Sequence, residues 1–229
     1  MKKNGLLVSL AILISLSVVA QSEVKIGKQI WMLQNLQVDT FRNGDIIPWA
    51  QSNEEWIKAG KNKQPAWCYY ASRRYLGDSS TLADNGLRFG KLYNWYAVND
   101  PRGLAPLGWH VPTKAEWSIL VSHLGGTRKA AIRMRHKNDW REDDKGTNRS
   151  GFTALPGGFR TDSSFYAKGN SGYWWTTTEE PETGTNTRPA NVIIDFYRLT
   201  EQYYVDFGTG GRNTHLRYED GLSVRCLKD

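Results

Sequence analysis

A proline-fixed arm running into a capped helix constrains this chain more than any other stretch. Residues Gly103–Trp117 read GLAPLGWHVPTKAEW. Thr113 and Glu116 stand in the T-x-x-E spacing of a capping box. In that motif the threonine hydroxyl accepts from the backbone N–H three residues on, and the glutamate reaches back to the threonine N–H. Trp117, Leu120, Val121 and Leu124 then recur at helical spacing, and Gly125-Gly126 closes the run. This predicts an amphipathic helix of about three turns. Its apolar stripe reads as core and carries no chemistry of its own.

The start of the chain is of a different kind. Lys2 and Lys3 precede an apolar run, Gly5–Ala20, which ends in small residues before the polar Gln21-Ser22-Glu23. That pattern is a signal peptide over residues 1–20. The uncharged stretch of about 16 residues is short for a membrane span. No cysteine lies near the cleavage point, which excludes a bacterial lipid anchor there. The expectation is an exported protein (periplasmic, cell-surface or secreted) with one domain over 21–229 and no stable span after cleavage.

Charge and cysteines narrow the partners. Without Lys2 and Lys3 the chain has 28 basic and 23 acidic residues. The basic residues are scattered, with small groups at Arg73-Arg74 and Arg128–Lys137, and Arg128–Lys137 reads as a solvated helix face. Scattered charge and export both argue against nucleic acid. Attraction to an acidic polysaccharide or anionic surface fits the excess. Cys68 and Cys226 are the two cysteines. In an oxidising compartment their one available pairing predicts a disulfide, with two buried free thiols as the other reading.

Taken in order, Val24–Gly27 and Gln29–Leu33 read as strands around a turn. Asn43-Gly44 marks a turn before Ile46-Ile47-Pro48-Trp49. Asn53 can cap a short helix ending at Gly60. Trp67–Tyr70 reads as a buried strand, and 71–90 as a polar loop. Leu92–Val98 is apolar on both parities, so period does not separate helix from strand. A second short helix is expected at Arg128–His136, then a polar loop with Trp140. Ala154–Arg160 reads as a strand broken at Pro156. Tyr173–Thr178 is β-rich, and Glu179–Arg188 reads as a loop. Strands are expected at Val192–Arg198, Gln202–Phe207 and Leu222–Leu227, with a flexible 208–220 between the last two. Short helices early and antiparallel strands late indicate an α+β domain.

Four segments resemble the Fibrobacter succinogenes major paralogous domain: Gly90–Asn99 with GLAPLGWHVPTKAEW, GTNRSGFTALPGGFR at Gly146–Arg160, GYWWTTTE at Gly172–Glu179 and GLSVRCLKD at Gly221–Asp229. WCYY at 67–70 and IGKQIWMLQNL at 26–36 carry the likeness further. The resemblance implies a C-type-lectin-like fold, also similar to the formylglycine-generating sulfatase-modifying fold. It implies short helices, small antiparallel sheets, much irregular loop, and a secreted or surface-located bacterial protein. It implies no reaction, because the shared motifs are scaffold residues and one fold hosts unlike functions.

Catalytic patterns are thin. Formylglycine generation in the related enzymes uses a copper-binding cysteine pair, whereas Cys68 and Cys226 sit far apart in strand-like settings. No G-x-S-x-G occurs for a serine nucleophile. His110, His123, His136 and His215 are dispersed, without zinc-ligand spacing. His110 reads as a hydrogen-bonded structural residue. A carboxylate pair for glycoside hydrolysis has candidates in Glu179, Glu180, Glu182, Asp195, Asp206, Glu219 and Asp220.

Aromatic content points instead to binding. Tryptophan faces stack on sugar rings, and tyrosine joins an apolar body to a polar tip. The motif tryptophans (Trp31, Trp67, Trp95, Trp109, Trp117 and one of Trp174 and Trp175) read as packing. The candidate ligand platform is Tyr166, Tyr173, Tyr197, Tyr203, Tyr204 and Trp140. Tyr203 and Tyr204 are adjacent in a strand and should face opposite ways. Lectin-like domains often bind through calcium, and Glu179, Glu180, Glu182, Asn186 and Asn191 offer its hard oxygen ligands. The lectin Glu-Pro-Asn signature is absent, so no cofactor is assigned. The functional expectation is a non-catalytic module recognising an extracellular polysaccharide or a cell-surface protein. Its alternatives are a carbohydrate- or cell-wall-active enzyme and a structural surface module.

Overall fold

The structure is a computed structural model and describes residues 22–71, 82–141, 146–182, 185–197, 202–208 and 216–229. The expected signal peptide lies outside the described residues. The predicted cap is present at α4 (Lys114–His123). Thr113 Oγ1 accepts from the Glu116 N–H at 3.2 Å, and Glu116 Oε2 accepts from the Thr113 N–H at 2.7 Å. Gly125 and Gly126 follow with φ of 88° and 90°, which an L side chain rarely adopts. That reversal leads directly into α5 (Thr127–Met134).

The buried face of α4 meets a cluster of rings. Trp117 lies 4.7 Å from Trp31, 5.6 Å from Phe152 and 6.0 Å from Trp174, centroid to centroid. Each such pair adds about 0.5–1.5 kcal/mol beyond the apolar area it buries. Trp31 comes from the hairpin β1 (Glu23–Ile26) and β2 (Gln29–Met32). That hairpin joins β12 (Leu227–Lys228) and β5 (Trp109–His110) in a four-stranded sheet, β1-β2-β12-β5. First and last strands thus share one sheet, which closes the chain on itself.

Long β8 (Gly172–Pro181), β9 (Thr187–Tyr197) and β10 (Gln202–Asp206) form a three-stranded antiparallel sheet, ordered β10-β9-β8. A register shift between Trp175 and Glu179 bends β8. The remaining sheet runs β3 (Trp67–Cys68), β4 (Leu92–Asn94), β11 (Gly221–Leu222), β6 (Phe159–Arg160), β7 (Phe165–Tyr166). Trp67 pairs with Tyr93, Tyr93 with Leu222, and Phe159 with Tyr166; Gly221 opposite Arg160 sets Leu222 beside Phe159. Directly opposed residues share a face, so these five form one row across the sheet. Cys68, Leu92, Arg160 and Phe165 take the other face, toward α1 (Asn53–Lys61).

The α+β class holds, and several local expectations are corrected. Ser52, not Asn53, caps α1, because Glu55 completes a capping box with it. The 71–90 segment includes a helix, α2 (Leu82–Phe89). Leu92–Val98 is both structures in turn: β4, then α3 (Trp95–Val98), with the Asn94 side chain capping the helix at Ala97 N–H. The late loop is shorter than its composition indicates, since β8 runs on to Pro181 and β9 starts at Thr187. Leu222–Leu227 is two short strands in two different sheets.

The disulfide expectation is overturned: Cys68 and Cys226 are both free and buried. Each thiol is packed into its own part of the core. Cys68 clusters with Ala50, Trp56 and Tyr70, whereas Cys226 belongs to the cluster of Met32, Tyr93 and Val224. A bridge needs a particular Cα and Cβ geometry, and the pairing argument from cysteine count cannot supply it. Burial pushes the Cys68 thiol up to about 11, and raises Cys226 as well.

Candidate functional site

The Asn43-Gly44 turn starts the candidate site. Asn43 Oδ1 accepts from the Asp45 N–H at 3.0 Å, and Gly44 takes φ 89° while its N–H donates to Phe41 O. The chain then doubles back through Ile47 and runs beside β3. Trp67 N–H donates to Pro48 O at 3.0 Å, and Ala50 N–H donates to Trp67 O at 2.9 Å. Those bonds fix Trp49 flat on Trp67, with centroids 5.3 Å apart and planes 3° apart. Trp67 is itself held by its Nε1–H, which donates to Ile47 O at 2.9 Å. Tyr69 meets both indoles edge-on, at 6.0 and 5.2 Å. Lys91 Nζ lies 3.6 Å from the Trp67 ring centroid, and burial lowers the lysine's pKa.

Trp67 is buried, while Trp49 remains 42% exposed. Beside it is a surface groove of about 280 Å³, walled by Pro48, Trp49 and Pro65 and by Glu55 and Lys58 of α1, with Gln64. Glu55 is oriented by the cap, where its Oε2 accepts from the Gln51 and Ser52 N–H groups at 2.6 and 3.3 Å. The groove therefore combines an aromatic wall with an acceptor, a cation and an amide. That composition suits a neutral polar ligand with an apolar face.

Trp49 was not among the residues expected from sequence. The signal was there: it is a tryptophan outside the recurring motifs, placed after an Asn-Gly turn and a proline. Among the described side chains the expected platform is not assembled. Tyr166 is exposed and stacks on Phe159 at 5.5 Å, at the far edge of the five-stranded sheet. Tyr173 is buried against Phe159 at 4.6 Å. Tyr203 and Trp140 do meet, at 5.3 Å, but both are buried, and the Arg135 guanidinium lies 3.7 Å from the Tyr203 ring. These three are corrected from exposed platform to core, because β10 turns Tyr203 inward and Trp140 Nε1–H docks on Ala154 O. Tyr204 faces the other way, half-buried, and its hydroxyl donates to Gln202 Oε1. Tyr197 ends β9 opposite Gln202, and its side chain lies outside the described residues.

The oxygen donors considered for calcium point to different partners. Glu179 Oε1 accepts from the Tyr218 hydroxyl at 2.7 Å, and Glu180 pairs with Lys114. Glu182 N–H donates to Asn186 O across the hairpin, whereas Asn191 is buried. Among the described residues no three acids, histidines or cysteines gather at metal-binding distance. The carboxylates considered for hydrolysis likewise have separate partners, apart from Glu219 and Asp220, which share Arg217. Asp195 accepts from Ser171 at 2.6 Å, and Asp206 from the Phe207 N–H. Asp220 is buried, which pushes its carboxyl up to about 6; Arg217 lies between it, Glu219 and Asp162. His110 bonds to Asp229 at 2.8 Å and Glu116 at 3.0 Å, in keeping with a structural role.

The profile of the Fibrobacter succinogenes major domain matches residues 24–228, from β1 to β12. The chain belongs to the Fibrobacter succinogenes major domain family. The match covers the closing strands as well as the α4 motif, so the whole described core is the family domain. Among curated proteins and solved structures no match was found. No helix among the described residues is long and apolar enough to cross a membrane.

Proposed function

We propose that this member of the Fibrobacter succinogenes major domain family is an exported, non-catalytic binding module that recognises an extracellular polysaccharide or a glycan-bearing surface partner. The observation that carries the reading is Trp49, held flat on Trp67 and exposed beside the groove of Glu55, Lys58 and Gln64. A ring that is already stacked on one side loses little side-chain entropy when a sugar packs against it. Polar groups around an aromatic wall then fix the orientation of the hydroxyls. Export rests on the leader pattern at residues 1–20. The lectin-like fold implied by the resemblance is part of the same proposal.

The test is a glycan array on the purified protein, with and without chelator, repeated on Trp49→Ala. Retention of at least one polysaccharide by the wild type and its loss in the variant is the expected result. Retention unchanged in Trp49→Ala would move the site elsewhere. No retained glycan at all would end the polysaccharide reading.

A further inference from the structure

A second site is marked by a buried charge. Arg225 is about 1% exposed. Its Nε–H and one Nη2–H donate to Asn35 Oδ1 at 3.0 and 2.8 Å. Its Nη1 donates to the carbonyls of Met32, Leu33 and Phe152 at 3.2, 3.0 and 2.7 Å. Every one of these acceptors is neutral. A guanidinium has five N–H groups; one Nη2–H has no hydrogen-bond partner among the described residues, and the Phe152 ring 4.6 Å from the guanidinium carbon is neutral too. A buried charge is ordinarily paired. Here desolvation holds the Arg225 pKa down at about 9, and no carboxylate among the described residues opposes it.

Arg225 forms part of the wall of a separate pocket of about 160 Å³, with Leu33, Gln37, Leu87, Thr153 and Leu155. Arg88, also at this pocket, is already paired with Asp139. Thr153 is β-branched yet takes φ 58°. Asn148 holds it there, accepting from its N–H at 2.8 Å and donating to its Oγ1 at 3.0 Å. Strain of this kind collects at ligand sites, and it coincides here with the uncompensated cation.

We propose that this pocket is a carboxylate-binding subsite, in which Arg225 receives the single negative charge of a uronic acid. A monoanion neutralises the one buried cation, whereas a doubly charged phosphate or sulfate would leave a second charge uncompensated away from water. The amide of Gln37 can bond the ligand's hydroxyls, and the leucines can cover its ring. This site is independent of the Trp49 groove.

The test is a thermal-shift titration of the full chain at fixed ionic strength with galacturonate, acetate, sulfate and the uncharged methyl ester of galacturonic acid. Galacturonate and acetate should raise Tm along a saturating curve, and the ester should not. Because Arg225→Gln can fail to fold, the charge is varied at exposed Leu87 (78% exposed). Leu87→Glu should weaken apparent affinity roughly threefold and Leu87→Lys should tighten it by about as much, as expected for one partly screened charge. Trp49→Ala should leave the carboxylate response intact. Absence of saturation with either carboxylate, equal response to sulfate, indifference to charge at Leu87, or loss of response in Trp49→Ala would each overturn the assignment.

Discussion

Trp49 lies flat on Trp67, 5.3 Å away with the planes 3° apart, and the two indoles have opposite relations to solvent. The buried ring supports the fold, and the exposed ring is available to a ligand. Trp67→Ala should cost about 3–5 kcal/mol, as a large buried side chain does. Trp49→Ala should cost only about 1–2 kcal/mol, the scale of its two ring contacts with Trp67 and Tyr69. Urea unfolding of both variants checks the contrast; equal losses would mean that Trp49 is core.

The Thr113–Glu116 box can be measured by itself. Thr113→Ala removes the acceptor for the Glu116 N–H and is expected to lose about 1 kcal/mol. Chemical denaturation gives the loss directly. A change within error would show that burial of Trp117 alone holds the start of α4.

Asp220 gives a pH dependence with a defined sign. Its folded pKa is about 6, above the ordinary 3.8, because burial disfavours the carboxylate. The folded state therefore binds this proton more tightly, and Asp220 costs stability as pH rises from about 4 to about 6. Asp220→Asn keeps a neutral acceptor for the Arg217 N–H and removes the titration. The variant should match the wild type near pH 4 and exceed it by about 3 kcal/mol above pH 7. Unfolding curves at the two pH values are the measurement; a variant less stable at the higher pH would reverse the sign.

Free, buried thiols make a chemical prediction. Neither Cys68 nor Cys226 should react with a thiol reagent in the native protein, and both should react once it is unfolded without reductant. Reductant should leave Tm unchanged. Two missing thiols in the unfolded, unreduced protein would restore the disulfide.

Local signals carried well where the residues involved are close in the chain. The Thr113–Glu116 cap, the β1–β2 turn and the opposite faces of Tyr203 and Tyr204 all depend on residues a few positions apart. Where the deciding contact is distant, sequence was ambiguous. Leu92–Val98 splits into strand and helix because β4 pairs with both Trp67–Cys68 and Gly221–Leu222, and the Asn94 side chain then caps α3. Tyr173 and Tyr203 look like platform residues in a polar β-rich stretch. Only the rings packed against them, Phe159, Phe196 and Trp140, make them core.

From sequence alone came the family, the α+β class and the capped helix, since these rest on composition, short-range spacing and motif. Tertiary structure decided which tryptophan meets solvent, where the two thiols lie and that Arg225 is buried with no carboxylate partner among the described residues. Exposure and pairing are properties of segments brought together from far apart in the chain, as residue 49 is with 67 and residue 35 with 225. Short-range periodicity reports which way a side chain turns from its own backbone; what it then meets is set by the packing of the whole domain.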